Sequence, residues 1–141
     1  MARLTEPLSL SPGLESGPLG SAAVQAWNLR SIEAPDGTRD PVVLHSNDEG
    51  RAVLIRIEPG GKLGDHQVKE RAWICIVEGS VRVEAGGDSM EGETGWVFTF
   101  DPDERHSVGS AGGARILLLL APWPGTGHYR GGGRAVASSD L

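Results

Sequence analysis

The chain has 141 residues and a formal net charge of −6, a length that fits one domain with a single core rather than two independent ones. The acidic balance excludes phosphate-backbone binders, whose affinity comes from Lys and Arg displacing counterions, so no nucleic-acid partner is expected. Hydrophobic residues at 38% and charged residues at 23% describe a globular chain, and 21 Gly with 9 Pro favour many short strands over long helices.

Residues 1–21 scatter Pro7, Pro12, Gly13, Gly17, Pro18 and Gly20 among Ser and Leu, which breaks both helix and strand patterns and predicts a flexible N-terminal arm. The arm lacks a basic start followed by an apolar core. The longest apolar run, Ile116 to Ala121, is far shorter than the roughly 20 residues needed to span a bilayer. A soluble cytoplasmic protein with no membrane partner is the expectation. The single Cys75 has no partner for an intramolecular disulfide, and its place in AWICIV predicts a buried, inert thiol.

From residue 22 to residue 123, segments of β-type pattern follow one another between turn signals: AAVQAWNL, PVVLHS, RAVLIRI, AWICIV, SVRVEA, GWVFTF and ARILLLLA. In SVRVE, Val81 and Val83 alternate with Ser80, Arg82 and Glu84, the pattern of a strand with one buried face. AWICIV and ILLLLA are apolar on both faces, as in strands inside a sandwich or under a second subunit. Gly79 predicts a tight hairpin between AWICIVE and SVRVE, and AGGD at 85–88 predicts the next. A buried helix is disfavoured because β-branched and aromatic residues fill these runs and Gly or Pro closes them. The fold class is therefore all-β, an antiparallel jelly-roll barrel over 22–123, followed by a Gly-rich C-terminal tail over 124–141.

Two short stretches carry the candidate chemistry: GGKLGDHQVKERAWICIVEG at 60–79 and DPDERHSV at 101–108. Their spacing resembles that of a small single-domain cupin, and the resemblance covers Val53 to Ala121. Gly60, His66 and Gly79 match the family's first motif in spacing, and Gly95, Pro102 and His106 match the second. The resemblance implies a barrel whose complete sites hold three His and one Glu around a divalent metal such as Zn, Fe, Mn or Ni. Here Val68 stands at the second His position and Ala72 at the Glu position, while Glu104 and Ser110 stand where Gly and Asn are frequent. Losing these donors weakens chelation. Glu70, flanked by Lys69 and Arg71, is the nearest replacement ligand beside His66 and His106, although charge clusters of this type usually face solvent.

His66 and His106 are the candidate catalytic and ligand-binding residues, since imidazole exchanges protons near neutral pH. Val68, Ala72 and Ile74 would form an apolar pocket floor beside them. His45 has no motif partner, and His128 lies in the Gly-rich tail. Trp96, Phe98 and Phe100 share a face of GWVFTF, and Trp73 faces away from Ala72 and Ile74, so packing is expected of all four. The functional expectation is a barrel that binds a small organic molecule. Its rivals are a metal-independent isomerase, epimerase or lyase using the two His as acid and base, and a metal-dependent oxygenase with a reduced ligand set. A homodimer is expected because the apolar outer faces would otherwise be exposed. No GxGxxG, GxxxxGK, CxxC, HExxH or GxSxG motif competes.

Overall fold

A computed structural model describes residues 23–35 and 37–125, and only the backbone of Thr38, Arg39, Asp65 and His66. Among them are eight strands: β1 (Gly37–Asn47), β2 (Gly50–Ile57), β3 (Gly61–His66), β4 (Arg71–Ala85), β5 (Asp88–Glu93), β6 (Val97–Phe100), β7 (His106–Ser110) and β8 (Ala114–Ala121). All pairings are antiparallel and make two faces of one curled barrel. One sheet runs β1-β2-β8-β4-β6 and the other β3-β7-β4-β5.

Strand β4 belongs to both sheets. The hairpin expected at Gly79 is instead a corner inside this strand. Residues up to Gly79 pair with β8 and β6, whereas Ser80 to Ala85 pair with β5 and β7. The β4–β8 ladder slips between Ile76 and Glu78, and Gly79 has φ 97°, a conformation open to glycine but rarely to other residues. The turn expected at AGGD is present, because Gly86 and Gly87 have φ 59° and 86° and Ala85 pairs with Asp88. Positive φ at both central positions lets a two-residue loop match the strand twist.

Alternation along the strands fills the barrel. Val53, Ile55 and Ile57 of β2, Ala72, Ile74 and Ile76 of β4, and Ile116, Leu118 and Leu120 of β8 point inward and pack with Val81, Val83, Phe100 and Val108. Each buried aliphatic side chain of this kind contributes about 1.5–3 kcal/mol of transfer free energy. β3, β5 and β7 carry Gly, Ser and acidic residues instead of apolar alternation, which is why the sequence pattern does not reveal them.

AAVQAWNL departs from expectation, since no strand spans its described residues. That segment and its continuation lie over the outer face of the first sheet. Ile32 and Ala34 bury themselves on Leu54, with Trp27, Leu29, Val42 and Leu44 around them. Its carbonyls find partners without a strand: Arg115 Nη1 donates to Leu29 O at 3.0 Å and Ile32 O at 2.8 Å, and Arg56 Nη1 donates to Ala34 O at 3.3 Å. On the rest of this face Trp73 and Val97 stay exposed while Leu117 and Leu119 are half-buried. The 1–21 arm, and the 124–141 tail beyond Gly125 with His128, lie outside the described residues.

Candidate functional site

The two motif stretches meet at one end of the barrel, where backbone and side-chain bonds lace them together. Asp103 N donates to Val68 O at 2.7 Å, and Lys69 Nζ pairs with Asp103 Oδ1 at 2.9 Å. Arg71 pairs with Asp101 and donates from Nη1 to Thr99 Oγ1 at 2.8 Å. Asp103 adopts φ 68°, a left-handed geometry that Asp tolerates better than most residues. The DPDERH turn is held in addition by Asp101 N donating to Glu104 Oε1 at 3.1 Å.

This lacing brings His106 into the interior at 3% exposure. Its ring lies flat on Phe100, with centroids 4.0 Å apart and planes within 5°. Nδ1 sits 3.1 Å from Glu104 O. A carbonyl oxygen only accepts, so Nδ1 carries a hydrogen in this contact. In the β3–β7 ladder the backbone sets His66 directly across from His106.

Residues 67–72 alternate outward and inward, and this pattern runs on into β4, so Val68, Glu70, Ala72 and Ile74 fall on the inward side. Val68, Ala72 and Ile74 are buried in the core at 8%, 1% and 0% exposure. Glu70 is the surprise. A carboxylate expected in solvent has 0% exposure, while its neighbours Lys69 and Arg71 turn outward to Asp103 and Asp101. Its Oε2 accepts a hydrogen bond from Gly125 N at 2.7 Å. The partial alternation of KERAWI is the signal that identifies Glu70 as inward, because it places Glu70 in register with Ala72 and Ile74.

The remaining candidates are peripheral. His45 is exposed, with Nε2 3.3 Å from Asn47 Nδ2. Trp96 is exposed, Phe98 packs against the core edge, and Trp73 faces out as expected. Cys75 is half-buried rather than fully buried, and desolvation pushes its thiol up from the ordinary value of 9.0.

Comparison with known proteins bears on the barrel. The family model of the cupin domain matches residues 53–121. An RmlC-like cupin from Shewanella frigidimarina superposes with a TM-score of 0.57 at 23% identity, covering 59% of this chain and 75% of that one. A cupin superfamily protein from Desulfitobacterium hafniense gives 0.60 at 14% identity, covering 66% and 85%. A Streptococcus pyogenes protein of unknown function gives 0.61 at 13% identity, covering 74% and 91%. The barrel has the cupin fold. No curated protein matches the chain.

Cupin domains often bind metals, which makes the donor set worth testing here. Val68 and Ala72 put buried apolar groups where two donors would stand. Among the described residues no group of three or more His, Cys, Asp or Glu side chains is placed to hold an ion. A cage of three or four protein donors is the usual requirement for a resident ion, and the described residues do not supply it. Two clefts of about 420 and 450 Å³ open elsewhere, along the outer face of the second sheet around Lys62, Arg82, Glu84 and Ser107. Neither is lined by His106.

Proposed function

We propose that this cupin binds a small organic molecule at the barrel end bounded by His106, Phe100, Val68 and Ala72, with His106 as its polar contact. The observation that supports this most directly is the fixed imidazole. Phe100 sets the ring plane and the contact of Nδ1 with Glu104 O sets its orientation, so the imidazole is held in place among apolar neighbours. A ligand with an apolar body and one hydrogen-bonding group suits such a contact. There the bond meets little competition from water.

A thermal-shift screen of small organic molecules, followed by calorimetric titration, tests this reading. Any compound that raises the melting temperature should bind His106→Phe about 10- to 100-fold more weakly. That substitution keeps a ring over Phe100 but removes the imidazole's polar contact, leaving a buried polar group of the ligand unsatisfied at a cost of roughly 1–3 kcal/mol. Equal affinity for both proteins rejects the site. Added Zn²⁺, Mn²⁺ or Ni²⁺ should leave melting temperature and affinity unchanged, whereas a metal-dependent rise would favour an oxygenase-type cupin with a reduced ligand set.

The β3–β7 register, which sets His66 across from His106, favours a second reading. In it the two imidazoles serve a metal-independent isomerase, epimerase or lyase. One neutral ring takes a proton from the bound molecule and the other returns one. Turnover that survives unchanged in His66→Ala and His106→Ala excludes it.

A further inference from the structure

The chain does not leave the barrel freely after β8. Trp123 packs against the core edge with the Arg51 guanidinium 4.5 Å over its ring, and two residues later Gly125 is buried. At Gly125 the backbone lies directly on the first motif stretch. A Cβ there would come 2.7 Å from Lys69 O and 3.2 Å from Glu70 Cγ, so only glycine approaches closely enough to donate to Glu70 Oε2. This contact joins a continuous series of bonds. Lys69 reaches Asp103, Asp103 N reaches Val68 O, and Glu104 O, next in the same turn, holds the His106 ring.

We propose that residues 122–125 form a strap latched on Glu70, and that opening of this latch controls access to His106. The inference concerns regulation of the site described above and rests on that reading for its biological meaning. Its physical content stands apart from any ligand. Glu70 acts as a positioning residue, its Oε2 accepting from Gly125 N at 2.7 Å. The strap is the weaker element, because residues 122–125 belong to no ladder, whereas ladder bonds on both sides hold β4.

Amide hydrogen exchange on the unmodified protein gives the first test. The Gly125 amide should be protected yet exchange faster than the Ile74 amide in β4, through an opening smaller than global unfolding. If the two exchange at the same rate, the latch does not open in the folded protein and the proposal fails. The second test reads access to His106 by its rate of carbethoxylation with diethyl pyrocarbonate, located by mass spectrometry. Glu70→Ala removes the acceptor, so Gly125 exchange and His106 modification should both rise about tenfold. Glu70→Gln keeps an acceptor oxygen and should stay close to the unmodified protein. Unchanged His106 modification in Glu70→Ala overturns the proposal, and should that variant fail to fold, the exchange comparison on the unmodified protein decides. Neither measurement uses a ligand, so the strap can fail while binding holds, and the reverse.

Discussion

Gly79→Ala perturbs the position on which the two-sheet architecture turns. An added Cβ would meet Gly113 O at 2.4 Å, Ala114 Cα at 2.9 Å and Ala114 Cβ at 3.2 Å, with backbone on the far side of the corner unable to swing away. The φ of 97° adds a conformational penalty of about 1–2 kcal/mol for an L residue. Relief of the overlap costs a further ~1–3 kcal/mol. Together these predict a loss of about 2–5 kcal/mol, a large share of the roughly 5–15 kcal/mol that holds a domain folded. The melting temperature should fall by at least ~8 °C, since each kcal/mol shifts a small domain by about 4–8 °C. Gly112→Ala is the control, because a Cβ there has no heavy atom within 4 Å. It should move stability by no more than about 0.5 kcal/mol. Calorimetry of both variants makes the comparison, and a Gly79→Ala protein that melts within a few degrees of Gly112→Ala would refute the corner assignment. The consequence reaches the site, because the first part of β4 carries Ala72 and Ile74 while the second pairs with β7, which begins at His106.

Two further outcomes follow from the same structure. Phe100→Leu keeps apolar bulk but removes the ring stacked at 4.0 Å on His106, so urea unfolding should show about 1–2 kcal/mol lost. The His106 side-chain resonances should broaden as the ring loses its fixed plane, and sharp, unshifted resonances would contradict the stacking account. Cys75 gives a pH prediction. Burial raises its folded pKa above the ordinary 9.0, so the unfolded chain releases that proton first as pH climbs. The stabilising contribution is therefore whole below about pH 9 and declines above it. Cys75→Ala should flatten the fall in unfolding free energy between pH 8 and 10, and identical pH profiles would reject the shift.

The barrel is readable in the sequence wherever apolar residues recur with the strand period. RAVLIRI, AWICIV and ARILLLLA correspond to β2, β4 and β8, the strands that fill the core. β3, β5 and β7 escape the same reading, because GKLGDH, DSMEGE and HSVGS owe their strand state to ladder partners rather than to their own side chains. Gly79 was visible as a special backbone position, but a glycine with positive φ serves a hairpin and a bulged corner equally well. Only the pairing of Ser80 with Glu93, and of Gly79 with Ala114, distinguishes them. His106 is legible from motif spacing, whereas its stack on Phe100 depends on β6 and β7 meeting through β4.

Glu70 shows why the site is harder to read than the fold. The cluster Lys69-Glu70-Arg71 looks like a solvated loop when each charge is weighed alone. The two cations do face outward, and each meets an Asp of the second motif turn, Asp103 and Asp101. These surface pairs contribute little stability individually, about 0–1 kcal/mol each. Their effect is geometric, since pinning residues 69 and 71 outward in a period-2 segment leaves residue 70 facing in. Glu70 thus enters the interior between the apolar Val68 and Ala72, where Gly125 N donates to it. The alternation of KERAWI already puts Glu70 in register with Ala72 and Ile74, and the two aspartates more than thirty residues away hold its charged neighbours outward, which weighing each charge alone does not show.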